Sequence, residues 1–301
     1  MIRRWTTQNY PPPGQLIDIE GNLLHLHSLG EAKGKPTVIL EAGLLSMSAI
    51  WAWVQPEIAK LTRVVAYDRP GLGWSEPNKQ SLNAQQVAVT LQTALKKVGI
   101  EPPYILVGHS MGGQLIRVFT DLYPDEVVGM ILIDSSHPDQ RMRSPAIAQE
   151  MKKLFNQLQF LPILAKLGIL RLTGLMQPLV DGLPSQQQAE AIACCSSTQH
   201  LKTSRDELLA WDLMTSQVRN TRHLGDLPLT ILTADSGSDP VWAGWSELQA
   251  DLANLSSQNK HRIATGANHL SLLTHKQDAQ AAIAAICEML EAVSMVISPQ
   301  R

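Results

Sequence analysis

Cysteine is scarce in this sequence. Cys194, Cys195 and Cys287 are its only three in 301 residues. That excludes a disulfide framework, and the adjacent pair lacks the spacing of a zinc site. Charge of one sign is missing too. Lysine and arginine number 25 against 27 acids, a formal net charge of −2, and they are scattered along the chain. No basic footprint for nucleic acid results. No apolar run reaches the ~20 residues that span a bilayer. The start, Met1-Ile2-Arg3-Arg4-Trp5, is basic but has no apolar stretch behind it, unlike a secretory signal. A soluble cytoplasmic protein is the expectation. The length suits one large α/β domain with an insertion, or two domains.

The most informative stretch that is present is Gly108-His109-Ser110-Met111-Gly112. It fits Gly-x-Ser-x-Gly, and its neighbours give the match weight. Tyr104-Ile105-Leu106-Val107 before it reads as a buried strand. Leu115, Ile116, Phe119 and Leu122 after it recur at helical spacing. Strand, tight turn and helix make a nucleophile elbow, with the serine held in strained backbone and glycines admitting the close approach of helix and strand.

Around the elbow, apolar strands alternate with amphipathic helices. Strands are expected at 15–20, 23–28, 37–40, 63–67, 104–107, 127–134, 229–233 and 261–264. Helices are expected at 50–61, 83–98, 113–123, 242–255 and 277–296. Glu20-Gly21-Asn22 signals a hairpin between the first two strands. Such alternation predicts an α/β fold: a mostly parallel sheet with helices on both faces and a hairpin at one edge.

Residues 137–224 break the pattern. They carry helical periodicity at 147–158, 161–170, 186–193 and 206–218 and no strand. This gives a core of 1–136 and 225–301 and an inserted helical cap over the carboxyl ends of the strands, where open parallel sheets bind ligands. The apolar run Leu161-Pro162-Ile163-Leu164-Ala165-Lys166-Leu167-Gly168-Ile169-Leu170 raises the question of membrane contact. Its proline and glycine, and the lack of a basic face, argue for packing on the core and lining an apolar pocket instead.

Acyl transfer by serine needs a base, a carboxylate that orients it, and N–H donors for the oxyanion. Ser110 is the candidate nucleophile. Of nine histidines, His269 fits the base best, in a loop between the last strand and the final helix. Asp134, at a rigid strand end, is preferred as the acid. Asp235 or Asp239, after the later strand, are the alternatives. The N–H groups of Met111 and of Leu44, in the loop Glu41-Ala42-Gly43-Leu44, are the candidate oxyanion donors.

From about residue 15 to 297 the chain resembles the α/β-hydrolase superfamily, in its serine-nucleophile, esterase-like branch. Three motifs carry the resemblance: the elbow, Asp68-Arg69-Pro70-Gly71-Leu72-Gly73-Trp74-Ser75, and the terminal Gly266-Ala267-Asn268-His269. It implies an eight-stranded sheet and allows the acid after either strand. Many relatives carry His-Gly where this chain has Ala42-Gly43, a departure that bears on Leu44. Dehalogenases and epoxide hydrolases of this fold use an aspartate nucleophile, and Ser110 argues against both. The latter also use tyrosines of the cap, and Tyr10, Tyr67, Tyr104 and Tyr123 all lie outside the insertion.

The expectation is therefore a carboxylesterase of small apolar esters, working through an acyl-enzyme on Ser110 with no metal or cofactor. A C–C bond or lactone hydrolase with the same triad, or a slow-turnover small-molecule receptor, are the alternatives.

Overall fold

The computed structural model describes residues 9–78, 82–221, 223–235 and 242–297. Eight strands form one sheet: β1 (Gln15–Ile19), β2 (Asn22–Leu29), β3 (Thr37–Glu41), β4 (Val64–Tyr67), β5 (Tyr104–His109), β6 (Val127–Ile133), β7 (Leu229–Ala234) and β8 (Asn259–Ala264). Their order is β1-β2-β4-β3-β5-β6-β7-β8. β1 and β2 run antiparallel as a hairpin, and β2 is antiparallel to β4. Every later pairing is parallel. Glu20 and Gly21, at φ 51° and 85°, make the hairpin turn, which needs two positive φ values to match the strand twist.

The central strands are apolar on both faces because both are covered. Val38, Leu40, Ile105 and Val107 face one core, closed by helices α1 (Gln55–Ala59) and α12 (Ala279–Ile297). Ile39, Leu106, Met130 and Leu132 alternate onto the other, with α2 (Ala84–Lys97) and α3 (Met111–Leu122). Asn83 caps α2 by accepting from Gln86 N–H at 2.9 Å.

Between β6 and β7 lie α4 (Gln140–Arg143), α5 (Pro145–Lys166), α6 (Ile169–Thr173), α7 (Ser185–Cys195), α8 (Thr198–Leu209) and α9 (Trp211–Arg219). After β7 come α10 (Trp245–Ala253) and α11 (Ser271–Thr274). Two expectations are corrected here. The helices expected at 147–158 and 161–170 are instead the single α5, running through Pro162 and ending before Gly168 at φ 78°. Leu158, Pro162 and Ala165 are all buried on its inner face, and that packing offsets the backbone hydrogen bond the proline removes. The helix expected at 50–61 is a short 3-10 turn, Ser48–Trp51, and then α1, which starts at Gln55 with Pro56 in its first turn.

Candidate active site

Ser110 sits between the end of β5 and the start of α3 with φ 54° and ψ −125°. A non-glycine residue holds such backbone only where its surroundings fix it. Here its N–H donates to Ile133 C=O at 3.1 Å and its C=O accepts from Ser136 N–H at 3.0 Å. Gly112 explains the second glycine of the motif. A Cβ there would stand 2.4 Å from Glu41 O and 2.8 Å from Ala42 O.

The serine hydroxyl meets the histidine loop. Ser110 Oγ is 3.1 Å from His269 Nε2. On the far side of the ring, Nδ1 is 2.5 Å from Asp134 Oδ2. Asp134 follows β6 at φ 40° and is 1% exposed. Its other oxygen accepts from Ala234 N–H at 2.9 Å and Trp245 Nε1–H at 2.8 Å. Burial opposes ionisation of this carboxyl. The hydrogen bond and charge of His269, with the donors Trp245 and Ala234, outweigh it and hold the carboxyl below its ordinary range. A carboxylate that accepts from Nδ1–H leaves the Nε2 lone pair facing the serine.

Asp235 is placed elsewhere. It is exposed after β7, and its Oδ2 is 3.4 Å from Gly266 N. Asp239 lies outside the described residues. Of the two described candidates, Asp134 and Asp235, the fold brings Asp134 to His269.

Met111 opens α3, so its N–H belongs to the first turn, where helical donors have no partner within the helix. The Gly43-Leu44 loop lies alongside, and a Cβ on Gly43 would be 3.0 Å from Ser110 Cβ. Arg69 holds this loop. Its guanidinium donates to Ala42 C=O at 2.6 Å, Gly43 C=O at 2.9 Å, Glu41 at 2.7 Å and Glu207 on α8 at 2.6 Å. Glu41, which stands two residues before Gly43, is thus a buried ligand of Arg69, and its other oxygen meets Tyr67 OH. Burial pushes the Glu41 carboxyl up, against the pull of Arg69.

Three further side chains surround the histidine. His109 Nε2 donates to His269 C=O at 2.8 Å, and the two rings lie 4.7 Å apart. Burial lowers His109 to about 3, so it is neutral here. Trp242 stacks on the His269 ring at 5.5 Å. Trp245 supports Asp134 as above. None of these contacts is signalled by spacing, because each joins segments remote in sequence. Only the presence of His109 within the elbow hinted at its position.

A cavity of about 590 Å³ opens at Ser110, Met111, Gly43, Leu44 and His269. Its apolar wall includes Ile147, Met151, Leu154, Trp211, Trp242 and Leu270, and Gln140, Glu150, Lys153 and Gln157 supply polar groups. No tyrosine lines it. Among the described residues no cluster of His, Cys, Asp and Glu could hold a metal ion, and no helix is long and apolar enough to cross a membrane.

A family model described as the alpha/beta hydrolase fold matches residues 36–174. An uncharacterized protein of Schizosaccharomyces pombe is 25% identical over 291 residues, which cover 85% of this chain and 52% of that protein. The chain thus spans about half the length of that relative. The uncharacterized YqjL of Bacillus subtilis is 23% identical, with 83% of each chain covered. Among solved structures, DBJA superimposes with a TM-score of 0.74 at 14% identity, covering 95% of this chain and all of that one. An epoxide hydrolase of Bacillus megaterium gives 0.71 at 17% identity, covering 92% of this chain and 100% of that one. At these identities the structures speak to fold alone. With the matching family model over residues 36–174 and the eight-stranded sheet, they show that the chain has the α/β-hydrolase fold.

Proposed function

We propose that this chain is a serine hydrolase, a carboxylesterase of small apolar esters. The observation that carries the reading is the line Asp134–His269–Ser110, at 2.5 Å and 3.1 Å. Ser110 Oγ attacks the ester carbonyl as His269 Nε2 takes its proton. Asp134 keeps the hydrogen on Nδ1 and stabilises the imidazolium that forms. The N–H groups of Met111 and Leu44 receive the oxyanion. The imidazolium returns its proton to the departing alcohol, leaving the acyl group on Ser110. Water then attacks the acyl-enzyme, giving its proton to His269, and the acid leaves as Ser110 regains its hydrogen. In this reading residues 137–224 act as a cap, and their apolar wall selects apolar acyl or alcohol groups.

The solved neighbours include epoxide hydrolases, and that activity stays with those proteins. A serine at position 110 and a cavity without tyrosine favour the ester reading. The test is intact-mass analysis after a fluorophosphonate. One adduct is expected on the wild type and none on Ser110→Ala. Absence of any adduct on folded wild type would overturn the reading.

A further inference from the structure

The fold divides the apolar stretch of α5 and α6 between two surfaces. Leu161 and Leu164 pack against the core cluster beneath the inserted helices. Phe160, Ile163 and Leu167 do not join them. They are 67%, 58% and 67% exposed, and their spacing of three and four residues sets them in one stripe along the outer face of α5. Leu172 and Leu175 follow, 87% and 55% exposed. A single exposed leucine is ordinary, whereas a contiguous apolar patch marks an interaction site.

The charge around the stripe indicates what it meets. Residues 151–180 contain Lys152, Lys153, Lys166 and Arg171 and no Asp or Glu, in a chain whose acids outnumber its bases. Lys152 stands three helical turns before Ile163, so it lies on the face of the stripe, while Lys153 stands at the edge between the stripe and the cavity it also lines. Both are exposed, as is Lys166 beside Leu167. Lys153 also pairs with Glu150 at 2.5 Å. In the sequence this stretch has no basic face of its own. The length of α5 supplies one, by carrying the earlier Lys152 onto the same side. Exposed aliphatic and aromatic side chains with a margin in which bases outnumber acids, Glu150 being held by Lys153, form a composition that lies on an anionic bilayer.

We propose that the outer face of α5 and α6 docks on an anionic lipid surface. Phe160, Ile163, Leu167 and Leu172 enter the boundary between headgroups and acyl chains, and Lys152 and Lys166 meet the phosphates. The same helix lines the cavity with Ile147, Met151 and Leu154, so docking brings a wall of the cavity to the membrane. Binding of this kind does not depend on whether Ser110 is a nucleophile.

The test is co-sedimentation of the full chain with vesicles of phosphatidylcholine, with and without phosphatidylglycerol. Wild type is expected to sediment with the phosphatidylglycerol vesicles, at least tenfold more weakly with phosphatidylcholine alone. Lys152→Gln with Lys166→Gln is expected to weaken binding about thirtyfold at low salt. Ile163→Asn with Leu167→Asn is expected to weaken it by about tenfold or more. These exposed positions leave fluorophosphonate labelling and the melting temperature unchanged. Wild type that stays in the supernatant overturns the proposal, as does binding indifferent to both double variants. A dimer in light scattering that Ile163→Asn with Leu167→Asn dissociates would assign the face to a second copy of the chain, and overturns it too. Fluorophosphonate labelling of the same samples separates this result from the hydrolase reading.

Discussion

Glu207 of α8 receives both Nε and Nη2 of Arg69, at 2.6 Å and 3.1 Å, in a pair only 1–2% exposed. Through that pair an inserted helix reaches the loop beside Ser110, because the same guanidinium donates to Ala42 and Gly43 C=O. His200, seven residues earlier on the same helix face, donates from Nε2 to Leu45 C=O at 3.2 Å. Two side chains of α8 therefore set the backbone of residues 42–45. Glu207→Gln leaves a buried guanidinium with one carboxylate fewer, which typically costs about 3 kcal/mol. The urea midpoint should fall with an unchanged m-value. On the esterase reading kcat should fall more than KM rises, since the loop carries the Leu44 donor. A wild-type midpoint would remove the pair from any account of how this loop is held.

The choice of acid separates two carboxylates that end neighbouring strands. Asp134→Asn is expected to lower kcat by about 10⁴-fold, because an amide no longer enforces the productive tautomer of His269. Asp235→Asn is expected to leave kcat within about twofold, since that side chain faces Gly266 N–H rather than His269. The reverse pattern in ester kinetics would move the acid to the later strand.

That ambiguity shows what the sequence carried and what it did not. Alternating strands and helices were legible because burial imposes periods of 2 and 3.6 on apolar residues. The elbow was legible because a tight turn with Gly112 packed against Glu41 O admits no side chain. Asp134 and Asp235 could not be ranked by periodicity, as both follow apolar strands that pair in parallel. What divides them is the turn after β6, where Asp134 at φ 40° meets Trp245 from α10. The bond from Arg69 to Glu207 spans 138 residues, a separation no local pattern encodes. Pro162 misled because local propensity marks a break, while burial of Leu158 and Ala165 on either side carries the helix through.

Trp245 gives a way to move a pH limb. Its Nε1–H is one of the donors that hold the Asp134 carboxyl below the ordinary range. Trp245→Phe keeps the ring and removes that donor, so the Asp134 pKa rises towards its ordinary value. A hydrogen bond to a charged group contributes about 1.5–3 kcal/mol, so kcat at neutral pH should fall about tenfold. The acid limb of kcat should begin at higher pH than in wild type, because Asp134 now protonates sooner. An acid limb that stays in place would show that Asp134 does not govern it.

His200 predicts how stability responds to acid. The ring is fully buried, accepts from Gly73 N–H at Nδ1 and donates to Leu45 C=O from Nε2, which fixes it as neutral. Burial lowers its pKa from 6.5 to about 4. Between those values the unfolded chain binds a proton that the folded chain does not, so stability is full above about pH 6.5 and declines as pH falls towards 4. From pH 7.5 to 5.5 this one group should remove about 1 kcal/mol. His109, lowered to about 3, and His137, lowered to about 4, act in the same sense. His25, whose pKa is raised beside Asp68, acts in the opposite one. All three are shared by wild type and His200→Gln, so they cancel in the difference between the two proteins. The variant loses two buried hydrogen bonds and starts less stable at pH 7.5. Its unfolding free energy should then fall less steeply towards pH 5.5, by about 1 kcal/mol over that interval. Parallel slopes in urea titrations at the two pH values would mean that position 200 takes up its proton without unfolding, and that α8 is free to leave Leu45 in acid.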